Sequence, residues 1–258
     1  MSKPLSDLQG PVRALFTDLD GTMVTDARLS VQTVRALDQL FTAKLPVVLV
    51  TGRPAGWGHA LASLFPFAAV ITENGGVSFV PGDRGLRKVL ALPADALAGW
   101  RVTMKQAAAD IASQFPGARL SVDSAYREFD LAIDWNEDAR LDSATADAIV
   151  DFLLAQGLAA SRSSVHVNYG PPGIDKWVAC KQILAECMPS ATAPYDDIVY
   201  VGDSLNDAPV FGALAKSVGV ANVRDRWEDL PHKPGYITPS EEGQGFCELV
   251  ERLLFLLG

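Results

Sequence analysis

The chain has 258 residues, a net charge of −9, and 48% apolar residues with ordinary glycine and proline content. Such a length buries a large core, either as one domain or as a core with a smaller insert. The acidic balance argues against nucleic acid or an anionic membrane as partner. Cys180, Cys187 and Cys247 are an odd number without metal-ligand spacing, and Met1 to Gly10 has no apolar signal region. Reduced thiols in a cytoplasm are therefore expected. No apolar run approaches the length of a membrane span.

Strand and helix alternate from the start. Val12 to Thr17 reads as a buried strand, and Ser30 as the cap of a helix reaching Ala43. Pro46 to Val50 is a second strand. Pro54, a plausible first helical residue, opens a helix to Phe65, and Ala68 to Thr72 is a third strand. Repeated βα units imply a mostly parallel sheet with right-handed crossovers. Glu73-Asn74-Gly75-Gly76 reads as a turn before a short strand, Val77 to Val80. Pro81-Gly82-Asp83-Arg84-Gly85 reads as a linker, after which the pattern changes. Helices near 93–115 and 141–156 are interleaved with strands near 120–123, 129–135, 158–161 and 165–168. This predicts a βαββαβ-like α+β unit with one open sheet able to face outward. Gly170 to Gly173 is a second linker. A helix from Asp175, a strand Ile198 to Val201, a helix from Pro209, a strand Ser217 to Val220 and a closing helix from about Gly245 complete the core. The expected division is a core of 1–83 and 169–258 with an inserted cap of 84–168.

Chemistry concentrates at strand ends. Asp18-Leu19-Asp20-Gly21-Thr22 follows the first strand, so two carboxylates stand at the edge where open α/β sheets bind ligands. Carboxylates sharing a cleft repel, and a cation or a proton between them relieves this. Thr51-Gly52-Arg53-Pro54 offers a hydroxyl and an amide at a helix start, a ready anion site. Lys176 opens a helical stretch. The late strand runs into Gly202-Asp203-Ser204-Leu205-Asn206-Asp207, adding two carboxylates.

These four segments, in this order, resemble the haloacid dehalogenase superfamily of phosphotransferases, and an α+β insert after the third strand resembles the cap of its type IIB, Cof-like and sugar-phosphate phosphatase branch. The resemblance implies a Rossmann-like three-layer α/β core and phosphomonoester hydrolysis through an aspartyl-phosphate. It makes Asp18 the nucleophile and Asp20 the general acid, a group that dehalogenation would not need. Mg²⁺ would be held by the Asp18 carboxylate, the Asp20 carbonyl and Asp203, with Asp207 a ligand or a partner to one. Thr51 and Gly52 would hold phosphate, and Lys176 would offset charge on Asp18 and phosphate. Trp177 departs from the glycine often found after that lysine. Arg53 touches phosphate or pairs with a core carboxylate, and Asn206 orients Asp203 or the phosphate region. In the cap, Arg127, His166 and Asn168 are the polar residues placed to read the leaving group, although each residue type is more often structural.

The expected partner is a small phosphorylated metabolite, most simply a sugar phosphate, with neither nucleic acid nor membrane involved. A phosphomutase of the same fold would use the same carboxylates. A non-catalytic protein binding a phosphorylated ligand is the rival from another class, and the complete set Asp18, Asp20, Lys176 and Asp203 speaks against it.

Overall fold

The computed structural model describes residues 2–163, 165–190 and 195–258. The larger sheet has nine strands, in the spatial order Lys3–Pro4, Tyr236–Ile237, Lys216–Gly219, Ile198–Gly202, Ala14–Thr17, Val47–Val50, Ala69–Thr72, Val77–Gly82 and Gly85–Leu90. Pairing is parallel as far as Ala69–Thr72 and antiparallel beyond it. Every residue of Ala14–Thr17, Val47–Val50, Ala69–Thr72 and Ile198–Gly202 is buried, as parallel strands covered on both faces require. Alternation sends Leu15, Leu49, Val70 and Val201 to one face, against Leu37, Leu40, Phe246 and Leu253. Phe16, Val50, Ile71 and Tyr200 go to the other, against Ile183, Leu184 and Phe211.

From Ala14–Thr17 the chain steps one way to the second and third strands, then returns on the other side at Ile198–Gly202 and Lys216–Gly219. The order reverses between Ala14–Thr17 and Ile198–Gly202, so their carboxyl ends flank a crevice.

Polar caps set the helix starts. Ser30 accepts the Thr33 N–H at 3.0 Å to begin Val31–Thr42, and Asp175 accepts the Val178 N–H at 2.8 Å to begin Lys176–Cys187. Pro54 has an extended ψ of 160°, so it precedes the helix Ala55–Leu64 instead of opening it. The final helix, Glu242–Leu257, starts before the expected Gly245. No helix among the described residues is long and apolar enough to cross a membrane.

A second, antiparallel sheet has the order Ala159–Arg162, His166–Gly170, Leu131–Asp134, Arg119–Leu120. Helices Ala94–Gln114 and Ser143–Ala155 cover one face through Met104, Ile111, Ile149 and Leu153, packed on Ile133 and Val167. Three expectations are corrected here. The unit runs αββαββ, because the strand that would lead it, Gly85–Leu90, completes the larger sheet. The expected linker is the turn of that hairpin, with Gly82 opposite Gly85 and Gly85 at φ 111°. The uncovered face of the small sheet, carrying His166 and Asn168, meets the crevice instead of facing outward. Sheet membership thus changes after Leu90 and again after Gly170.

Candidate active site

Asp18 ends the first core strand, its N–H bonded to the Val201 carbonyl of the neighbouring strand at 2.9 Å. That bond ties the two carboxyl-terminal ends together and brings Asp18 beside Asp203 and Asp207. One carboxylate oxygen from each of the three lies within 4.8 Å of the others, and all three residues are buried. Lys176, fully buried at the start of its helix, reaches up between two of them. Its Nζ is 2.7 Å from Asp18 Oδ1 and 2.6 Å from Asp207 Oδ1. Trp177 stands edge-on to the ring of Tyr195, 5.9 Å between centroids, so the residue that replaces glycine does not keep Lys176 from Asp18.

The electrostatics follow from counting. Three ionised carboxylates and one ammonium leave two negative charges in a nearly dry site. Burial, aided by Asp207 and Asp20, pushes the Asp18 carboxyl up to about 7 against the pull of Lys176. Burial followed by the charges of Asp18 and Asp207 raises Asp203 well above the carboxylate range. Burial opposes the Lys176 charge, but Asp18 and Asp207 more than offset it and raise the ammonium above its ordinary value. An all-oxygen donor set short of two positive charges fits a hard divalent cation such as Mg²⁺. Asp18, with one oxygen on Lys176, and Asp203, held by two neutral donors, are the residues that could hold it. Asp207 is occupied: Oδ1 takes Lys176 and the Tyr200 hydroxyl, and Oδ2 takes the N–H groups of Asp203 and Ser204 at 2.9 and 3.0 Å. Asp203 is braced by Thr22 Oγ1 at 3.2 Å and Asn222 Nδ2 at 3.2 Å. Gly21 is required here, because a Cβ on it would lie 2.4 Å from Asp203 Oδ2 and its φ is +74°.

Asp20 lies across the cleft, one-fifth exposed, and is gripped by Arg53 through Nε at 2.9 Å and Nη2 at 2.8 Å. Arg53 Nη1 also reaches Glu137 of the smaller unit at 2.9 Å, and Glu137 meets His166 Nε2 at 2.9 Å. The His166 hydrogen bond, with Arg53 beside it, holds the Glu137 carboxyl down at about 2. Of the two readings left open for Arg53, the structure has the carboxylate pairing. Thr51 is buried and its hydroxyl accepts the Arg53 N–H at 3.0 Å. Gly52 and Asn206 line the cleft with Asp18 and Asp20, and His166 and Asn168 close it from the small sheet. Asn206 bonds Asn74 Oδ1 at 3.0 Å and accepts Ser204 Oγ at 2.6 Å.

Two further expectations change. The N-terminus of Ala55–Leu64 already has an anion, since the Ala55 N–H donates to Glu73 Oε1 at 2.8 Å. Arg127 does not face the cleft: its side chain is fully buried, bonded to Asp130 Oδ1 at 2.6 Å and to the Gly52 carbonyl at 3.1 Å. Glu137, Asp130, Tyr200 and Asn222 were not singled out in the sequence, and Glu73 was read only as part of a turn. Only Glu73, in the turn at the end of the third strand, stood where a signal could have been read. Its carboxylate also accepts the N–H groups of Glu128, Phe129 and Asp130 at 2.9, 2.6 and 2.8 Å, clasping the small unit to the core.

The family model for haloacid dehalogenase-like hydrolases matches residues 15–85. A phosphoglycolate phosphatase of Archaeoglobus fulgidus is 28% identical over 249 residues, covering 95% of this chain and 96% of that protein. One from Haloarcula marismortui is 26% identical, covering 92% and 95%. Among solved structures, a Thermoplasma acidophilum protein superposes with a TM-score of 0.72 at 20% identity, covering 95% and 99% of the two chains. The Synechocystis sucrose-phosphatase, solved with sucrose and phosphate, has a TM-score of 0.68 at 19% identity over 94% and 98%.

Proposed function

We propose that this chain, which belongs to the haloacid dehalogenase-like hydrolases and is a phosphatase, hydrolyses the monoester of a small phosphorylated metabolite with Mg²⁺ and through an aspartyl-phosphate on Asp18. The observation that carries this is the buried set Asp18, Lys176, Asp203 and Asp207 at the point where the strand order reverses. In this reading Asp18 and Asp203 hold the metal, which when bound offsets the charge of the carboxylates and of the substrate phosphate. Asp207 is a positioning residue that fixes Lys176 and the 203–204 backbone.

Asp18 Oδ attacks phosphorus as the ester P–O bond breaks, and Asp20 gives its proton to the leaving alkoxide. The Asp20 carboxylate then takes a proton from water. That water attacks phosphorus, and the Asp18–phosphorus bond breaks to release phosphate. Arg53 would have to loosen its two bonds to Asp20 for that residue to carry a proton. Incoming phosphate, held by Thr51, Gly52 and Asn206, is the natural competitor for the guanidinium. The 91–170 unit serves as the cap, anchored by Glu73 and carrying Glu137, His166 and Asn168 to the leaving group.

The names of the relatives suggest two leaving-group chemistries, a carboxylate in phosphoglycolate and a hydroxylated ring in sucrose phosphate. We assign the hydroxylated kind, a sugar phosphate or a related metabolite, and place the enzyme in the cytoplasm, in keeping with its three free cysteines. The test is phosphate release from p-nitrophenyl phosphate and from a panel of phosphorylated metabolites. Turnover is expected with Mg²⁺ and lost in excess EDTA, and full activity in EDTA would overturn the metal role of Asp18 and Asp203.

A further inference from the structure

The Arg53 guanidinium stands where the larger and smaller units meet, its side chain 7% exposed. Three carboxylates surround it. Asp20 of the core takes Nε at 2.9 Å and Nη2 at 2.8 Å. Glu137 takes Nη1 at 2.9 Å, and Asp123 Oδ2 lies 3.8 Å from the same nitrogen. The Trp57 ring lies against the guanidinium, 4.9 Å from its centroid to Cζ. One fixed positive charge is thus divided between Asp20 and two groups of the 91–170 unit.

Glu137 is placed for this contact by the small sheet. Asp134, buried at the end of the strand Leu131–Asp134, accepts the N–H groups of Glu137, Asp138 and Ala139 at 2.9, 3.0 and 2.8 Å. Those bonds fix the backbone that carries Glu137. His166, the register partner of Asp134, meets Glu137 Oε2 at 2.9 Å and leaves Oε1 for Arg53. Glu137 is ionised at neutral pH, so His166 Nε2 is the donor. Two buried residues therefore aim one carboxylate oxygen at a guanidinium on the other unit. The Glu73 clasp already joins the units through four amides, so docking alone does not account for this arrangement.

The chemistry of Asp20 gives the contact its use. A bidentate guanidinium is among the strongest partners a carboxylate has. It turns Asp20 toward Arg53 instead of toward a leaving oxygen. To pass a proton to that oxygen, Asp20 must turn out of the fork. Breaking a buried pair is costly mainly because it leaves an uncompensated charge behind. Glu137 removes that obstacle, since Arg53 stays paired when Asp20 departs.

We propose that Glu137, aimed by Asp134 and His166, is a positioning residue that takes over the charge of Arg53 and so frees Asp20 to protonate the leaving oxygen. The inserted unit then takes part in the chemistry through a residue that touches neither phosphorus nor the leaving group. The proposal rests on the phosphatase reading above and adds a control of its general acid by the docked cap.

The experiment compares kcat/KM for Mg²⁺-dependent hydrolysis of p-nitrophenyl, p-chlorophenyl, phenyl and p-methylphenyl phosphates. These esters are similar in size, and their leaving oxygens rise in basicity in that order. A more basic oxygen depends more on a placed acid. Glu137→Gln keeps the shape and an acceptor oxygen for Arg53 but removes the charge. It should lower kcat/KM for phenyl and p-methylphenyl phosphate about tenfold more than for p-nitrophenyl phosphate, a part of what a general acid contributes. A role in docking alone would lower all four alike, and the p-nitrophenyl phosphate rate of each variant corrects for any loss of folded protein. Arg53→Lys cannot form the fork. In that background the extra effect of Glu137→Gln should shrink to less than about twofold, as for two residues that act as a unit. A uniform loss across the series, or a tenfold effect that persists beside Arg53→Lys, overturns the role of Glu137 while Mg²⁺-dependent turnover keeps the phosphatase reading. Absence of Mg²⁺-dependent hydrolysis of every ester overturns both.

Discussion

Glu73→Gln is the substitution that tests how the cap is fixed to the core. The carboxylate is 2% exposed and accepts four backbone amides, Ala55 on one side and Glu128, Phe129 and Asp130 on the other. Glutamine keeps one acceptor oxygen and turns an NH₂ toward the amides that faced the second. Whichever way it lies, about two backbone N–H groups lose a charged acceptor, at roughly 1.5–3 kcal/mol each. Part of that is recovered where water reaches Glu128, so the expected loss is about 3–5 kcal/mol. Urea unfolding in excess Mg²⁺ measures it, with Glu251→Gln on the exposed side of the last helix as the control. The same variant should lose kcat/KM on metabolite esters more than on p-nitrophenyl phosphate, because the cap residues lose their placement over the cleft. A loss below about 1 kcal/mol would mean that the amides find other acceptors and that the clasp does not set the cap.

Gly21→Ala brings a Cβ to within 2.4 Å of Asp203 Oδ2 at a φ of +74°. It should cost about 1–2 kcal/mol and raise the Mg²⁺ concentration needed for half-maximal activity; an unchanged Mg²⁺ titration would count against the assignment of Asp203. Asp130 gives a pH signature. Its folded value is raised from 3.8 to about 8 by burial, so the stability tied to its proton is complete below about pH 4 and is lost as pH rises through about 8. In excess Mg²⁺ the Tm should fall between about pH 5 and about pH 8 and level off above that. Asp130→Asn should flatten that fall, and a slope identical to wild type would place the titration elsewhere.

How far the sequence could be read depends on the range of the interactions involved. Asp18, Asp20, Asp203 and Lys176 were legible because each sits at a strand or helix end, where a short pattern and the sheet's topology already fix its neighbourhood. Asp207 was legible as a group but not in its occupation, since Tyr200 and two backbone amides converge on it only in three dimensions. The clasp by Glu73 joins residues 55 to 57 positions apart through backbone N–H groups, which carry no residue-type signal at all. Arg127 stood out as a cation just before a cap strand, yet Asp130 three residues on was the local sign of an internal pair. The 81–85 segment was read by composition as a linker, although glycines flanking two polar residues between apolar runs also mark a hairpin. The outcome turned on Leu86 to Leu90, whose pairing with Val77 to Pro81 adds an edge to the core sheet.

The most direct measurement is acid quenching during turnover of an ester radiolabelled in its phosphate, followed by peptide mapping of the denatured protein. Label on the peptide that contains Asp18, present with Mg²⁺, absent with EDTA and absent in Asp18→Asn, is the predicted result. With it, kcat of Asp18→Asn should fall by roughly a thousandfold or more. Label on any other residue, or appreciable turnover in carefully purified Asp18→Asn protein, would contradict the account.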